Sequence, residues 1–157
     1  MKILLITVGK TDQQWLSEGI SQYVERLTHF CQFEFQVIPD IRNTRSMDAG
    51  TQKVREGEQI LKLLQPSDDV YLLDDKGREM TSPDMAQWLQ KRITQSTKRL
   101  VFIIGGPYGF SPDVYNRVPG RLSLYRMTFS HQMVRLIFVE QLYRAFAILN
   151  NLPDHHE

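Results

Sequence analysis

A chain of 157 residues with 41% hydrophobic content carries enough apolar material for one core, so a single domain over residues 1–157 is expected. Its one cysteine, Cys31, permits no internal disulfide and no cysteine-based zinc site, which fits a reducing, cytoplasmic setting. Nineteen Lys and Arg against eighteen Asp and Glu leave a net charge of +1, so composition by itself points to no polyanionic partner.

Residues 1–9 are too short an apolar run for a secretory leader and lack a small-residue cleavage site, so they read as a buried first strand. The spacing of Trp15, Ile20, Tyr23, Val24 and Leu27 then predicts an amphipathic helix capped by Thr11 or Asp12. Residues 33–38 read as a strand stopped by Pro39, and residues 40–50, polar and carrying Arg42 and Arg45, as a mobile loop. A helix over about residues 51–64 precedes a short strand at 70–73, which closes on a turn at Asp74, Asp75, Lys76 and Gly77. Ser82 and Pro83 supply a cap and a first-turn proline for a helix carrying Met85, Trp88, Leu89 and Ile93. Residues 100–104 form the next strand, broken by Gly105, Gly106, Pro107, Tyr108 and Gly109. A short helix opens at Ser111 and Pro112, residues 122–129 are a strand or extended loop, and residues 131–149 make the last helix. Strands alternating with helices indicate an α/β fold, a mainly parallel sheet with helices on both faces.

In open α/β sheets ligands bind beyond the carboxyl ends of strands, which nominates residues 73–77, 105–110 and 124–129. Glycines 105, 106 and 109 suit close backbone approach to a ligand, and they equally suit a plain strand-to-helix connection. No phosphate loop and no Gly-x-Gly-x-x-Gly pattern is present, which disfavours phosphate cradling. Arg117, Arg121, Arg126, Arg135 and Arg144 face one acid in that stretch, Glu140, so one part of the surface is expected to be basic. The last helix is apolar on nearly every side and demands more cover than a small domain offers, which points to a homodimer interface. Arg135, Glu140 and Arg144 interrupt it, which argues against a membrane span. His155 and His156 read first as a solvated tail, and with Cys31 far away they make a poor metal site.

Several segments together resemble the ribosomal RNA large subunit methyltransferase H family of the SPOUT class. They are Leu73-Asp74 with Gly77, residues 104–109 (Ile-Gly-Gly-Pro-Tyr-Gly), residues 127–135 (Met-Thr-Phe-Ser-His-Gln-Met-Val-Arg), residues 140–145 (Glu-Gln-Leu-Tyr-Arg-Ala), and the tail Asn150-Asn151-Leu152-Pro153 before His155-His156-Glu157. The resemblance spans essentially the whole chain and implies a C-terminal trefoil knot, a homodimer, and S-adenosylmethionine held at Leu73, Gly105, Leu124, Tyr125, Arg126, Met127, Thr128 and Phe129. It further implies methylation of N3 of a pseudouridine in 23S ribosomal RNA of the large subunit or assembled 70S ribosome, with no DNA or membrane partner. Asp154 stands where the family usually has Tyr, and Tyr125-Arg126 where Ser-Lys-like residues are common.

A sulfonium methyl is already activated, so such a reaction needs alignment and exclusion of water, and no metal. The ring N3–H must be lost at or before attack, which calls for a base or a nearby cation. His155, His156 and Arg135 are the expected catalytic candidates. The alternative is a non-catalytic ribosome- or RNA-associated binding module on the same scaffold, which Asp154 favours.

Overall fold

A computed structural model describes residues 1–41 and 46–153. Arg42 and Arg45 of the expected mobile loop, and Asp154, His155 and His156 of the tail, lie outside the described residues. The elements in chain order are β1 (Lys2–Val8), α1 (Gln14–Leu27), β2 (Gln32–Ile38), α2 (Ala49–Lys62), β3 (Asp69–Glu79), α3 (Ser82–Thr94), β4 (Arg99–Ile104), α4 (Pro112–Arg117), β5 (Arg121–Ser123) and α5 (Met133–Leu149). The strands form one five-stranded sheet in the order β2-β1-β4-β3-β5, and every pairing in it is parallel.

Successive side chains of a strand alternate between faces, and with both faces covered the central strands are apolar almost throughout, Thr7 being a buried exception. Ile3, Leu5, Leu100, Phe102 and Ile104 point to the face covered by α1, α3 and α5. Leu4, Ile6, Val8, Val101 and Ile103 point to the other face, where Ile60 of α2 and Val114 of α4 meet them. Each such side chain contributes about 1.5–3 kcal/mol on burial, so β1 and β4 anchor both layers. The helix α5 lies between α1 and α3, with Phe138, Val139, Leu142 and Phe146 fully inside.

Four expectations are corrected at element ends. The strand expected at 70–73 continues to Glu79, and the expected turn is an irregularity inside it, with the register against β5 shifting between Leu73 and Arg78. Gly77 is required there, because a Cβ would lie 2.7 Å from the Arg121 and Leu122 backbone. The α1 cap is neither Thr11 nor Asp12 but Gln13, without a side-chain bond. Tertiary contact substitutes: the Asp12 N–H donates to Gln132 Oε1 at 3.0 Å, and Gln132 Nε2 donates to the Lys10 carbonyl at 3.1 Å. Helix α3 is capped by Thr81 in a capping box with Asp84, while Ser82 donates to Gln141 on α5 at 2.7 Å. Finally, α5 begins at Met133 rather than at His131; of the two alternatives for residues 122–129, the extended loop holds after the three-residue β5.

Candidate cofactor cleft

Three chain segments meet at the carboxyl edge of the sheet and enclose a cleft of about 500 Å³. One wall is the β3 irregularity from Leu73 to Lys76, the second is the turn of residues 105–110 after β4, and the third is residues 122–131 after β5. Of the expected cofactor residues, Leu73, Gly105, Leu124, Tyr125, Met127, Thr128 and Phe129 line it. Arg126 does not. Its side chain is 85% exposed and its Nε donates to Glu79 Oε2 at 3.1 Å, away from the cleft.

The glycine turn is tight for identifiable reasons. Gly109 sits at φ +79°, where a Cβ is strained, and its N–H donates to the Gly106 carbonyl at 3.2 Å. A Cβ on Gly105 would meet Phe110 at 3.2 Å and the Gly109 carbonyl at 3.3 Å. The backbone itself therefore forms the cleft surface, with no side chain standing in front of it at either 105 or 106.

Opposite the turn, Asp74 gives the cleft a fixed negative charge. Burial alone would raise its carboxyl, but hydrogen bonds from Tyr115 and from the Lys76 N–H, with the charge of Arg121, hold it below the ordinary aspartate range. Tyr115 is pushed up to about 12 by burial and by the same bond to Asp74, so it stays a donor. The Arg121 guanidinium stacks 4.2 Å over the Tyr115 ring. The result is a cluster with an ionised acceptor facing the space where a cationic or hydroxyl-bearing ligand would lie.

His131 also lines the cleft, and burial followed by the positive charge of Arg135 holds its imidazole below the usual histidine range, with Asp12 and Asp40 opposing. Arg135 itself is fully buried. Its Nη2 donates to the Val8 carbonyl at 2.8 Å, its Nη1 to the Gly9 carbonyl at 2.8 Å and to Thr11 Oγ1 at 3.2 Å, and its Nε to the His131 carbonyl at 3.4 Å. It does not line the cleft. The guanidinium joins the end of β1 to the start of α5 and thereby places His131.

Of the five arginines expected to make a basic surface, Arg135 is buried, Arg126 pairs with Glu79, Arg144 pairs with Glu140 at 2.6 Å, Arg121 lies on Tyr115, and Arg117 is exposed.

The family model described as Predicted SPOUT methyltransferase matches residues 1–155. Proteins named ribosomal RNA large subunit methyltransferase H from Parabacteroides distasonis and Bacteroides fragilis are 55% and 54% identical over 157 residues, 100% of both chains in each case. The protein of that name from Christiangramia forsetii is 52% identical over 99% of each chain. The chain belongs to the ribosomal RNA large subunit methyltransferase H family.

Membership in this SPOUT family implies a C-terminal trefoil knot, which strand order does not display, since it concerns threading rather than pairing. Of the segments on which the family resemblance rests, residues 73–77, 104–109 and 127–135 are brought together here at one edge of the sheet, although about sixty positions separate Leu73 from Arg135. Tyr115 and His131 are cleft residues outside the three nominated strand ends, and Asp74 lies inside the first of them without having been named as a site residue. Asp74 was legible as a strand-end carboxylate; the Tyr115 bond to it spans 41 positions and leaves no local signature.

Proposed function

We propose that this methyltransferase uses S-adenosylmethionine to methylate N3 of a pseudouridine in 23S ribosomal RNA of the assembled ribosome, in the cytoplasm. The observation that carries the reading is the glycine-walled cleft itself, formed by the stretches that the family resemblance assigns to the cofactor. Its residues suit that group: bare backbone at Gly105 and Gly106 for close approach, apolar walls from Leu73, Leu124 and Phe129, and an ionised Asp74 for a cationic or hydroxyl function. When bound, S-adenosylmethionine supplies an already activated methyl group.

What remains for the chain is alignment and proton removal. The apolar walls exclude water, and the half-exposed rim of Tyr125 and Met127, 61% and 69% exposed, offers apolar surface to an incoming base. The N3–H proton goes to a base at or before attack, and His155 and His156 are our candidates, since the ordinary range of an imidazole suits that task. Arg135, with its donors directed to backbone carbonyls, acts as a positioning residue.

A homodimer completes the reading. Val134, Leu136, Ile137, Tyr143 and Ile148 of α5 are only half-buried in one chain, and a second copy would cover them. Sedimentation is expected to give twice the chain mass of 18.4 kDa.

Calorimetry with S-adenosylhomocysteine on the wild type and on Gly105→Val tests the cofactor assignment. Binding lost in a variant that still melts cooperatively supports it; no binding by the wild type sinks it. On ribosomes, His155→Ala with His156→Ala is expected to reduce methyl transfer while cofactor affinity is retained. Full transfer by that double variant removes the tail from the mechanism.

A further inference from the structure

Behind the glycine turn, on the side away from the cleft, lies an ionisable group that the mechanism does not use. Glu56 of α2 is only 3% exposed, and its Oε1 has no hydrogen-bond partner among the described residues. Its Oε2 accepts from Gln52 Nε2 at 3.1 Å, one turn earlier on the same helix. Both oxygens press on the turn: a Cβ built on Gly106 would lie 2.7 Å from Oε1 and 2.8 Å from Oε2. The next residue repeats the contact, since a Cβ on Gly57 would lie 2.5 Å from Ser111 Oγ and 3.0 Å from Val114. Two consecutive residues of α2 thus abut the two ends of the connection that forms one cleft wall.

We propose that Glu56 is a positioning residue for the cleft: its carboxyl, seated behind Gly106, fixes the shape of residues 105–110, and that shape is held when the carboxyl is protonated. This rests on the cofactor reading above. The physical reason is the missing partner. A neutral carboxyl tolerates a dry site with one oxygen unpaired, whereas an ionised one draws water between α2 and the turn and loosens the wall. Burial pushes this carboxyl above the ordinary glutamate range, the Gln52 bond pulls it partly back, and Asp40, in the loop after β2, adds to the rise. Ligand in the cleft further dries the wall, so binding takes up a proton and weakens as pH rises.

The test is calorimetry of S-adenosylhomocysteine between about pH 5.5 and 8.5, in buffers of differing ionisation enthalpy, on wild type, Glu56→Gln and Glu56→Ala. His131 titrates in the same cleft, so His131→Gln is run beside them to subtract its part. Wild type is expected to lose affinity several-fold with rising pH and to take up protons. Glu56→Gln, which mimics the protonated form, is expected to bind as tightly as the wild type at low pH and to lose that dependence. Glu56→Ala is expected to bind roughly tenfold more weakly at every pH. An unchanged pH profile in Glu56→Gln, or wild-type affinity in Glu56→Ala, overturns the proposal; if Glu56→Ala does not fold, the Gln comparison decides alone. Absence of any binding by the wild type overturns the cofactor reading and this role together, whereas binding insensitive to Glu56 overturns only the latter.

Discussion

The cleft is flanked by two buried ionisable side chains on opposite faces of the sheet, and they are handled in opposite ways. Arg135 on α5 directs its donors to the carbonyls of Val8, Gly9 and His131 and to the Thr11 hydroxyl. Glu56 on α2 has one oxygen against Gly106 that is unpartnered among the described residues. A buried charge with its hydrogen bonds filled acts as a rivet, because moving it exposes several polar groups at once. A carboxyl with an unfilled oxygen is held only by the shape around it, and its cost changes with protonation. The α5 side of the cleft is therefore built rigid, and the α2 side is built adjustable.

The contrast breaks first at Arg135. Arg135→Met keeps most of the side-chain volume but strands the Val8 and Gly9 carbonyls, and a loss of about 3–5 kcal/mol is expected from orphaned buried acceptors. Urea denaturation measures it. A loss below about 1 kcal/mol would mean that water replaces the guanidinium easily and that the rivet is not one.

Gly106→Ala probes the other side and should cost less, about 1–3 kcal/mol, because the added methyl meets the end of a side chain rather than backbone. In a Glu56→Ala background the clash partner is gone, and most of that cost is expected to vanish. Additive effects in the double variant would show that Gly106 and Glu56 do not press on each other.

The alternation of Ile3 and Leu5 against Leu4 and Ile6, and the matching runs in β3 and β4, made the parallel sheet with two covered faces readable in advance. The strand ends at Leu73 and Gly105 followed from that architecture alone. The extension of β3 to Glu79 was hidden, because Asp-Asp-Lys-Gly has turn composition and only the tertiary partner β5, more than forty positions away, keeps it in the sheet. The α3 cap was a contest between two adjacent residues, and Thr81 prevailed over Ser82 because Asp84 stands at the right distance to reciprocate. Arg135 and Glu56 each sit on a helix where a charge reads as solvated. What buries them, the end of β1 and the turn after β4, is distant in the chain.

The pH dependence of stability separates the two sides more finely. Glu56 is raised in the fold above the value of 4.5, so the native state binds its proton more tightly, and stability falls as pH rises through the window above 4.5. His131 is lowered from 6.5, first by burial and then by Arg135, so its contribution is present above 6.5 and is lost as pH falls from there to its folded value. Melting against pH is therefore expected to show Glu56→Gln equal to wild type at the acid end and more stable towards neutrality, while His131→Gln loses the acid-side decline below 6.5. A Glu56→Gln curve parallel to wild type throughout would place the titration elsewhere.

The smallest effect is expected at Arg126, between the rigid and adjustable sides, and it tests whether side chains matter at all in residues 124–129. Backbone and apolar surface make the cleft in this segment, while Arg126 turns outward to Glu79. The pair is exposed, 85% and 51% for the two side chains, so water and salt screen it, and its removal is worth at most about 0.5–1 kcal/mol. Arg126→Ala is expected to melt with the wild type and to bind S-adenosylhomocysteine unchanged, with no salt dependence distinguishing the two. A several-fold loss of affinity with intact stability would mean that the Glu79 pair sets the course of the loop, which would extend the rivet from α5 to the strand end of β3.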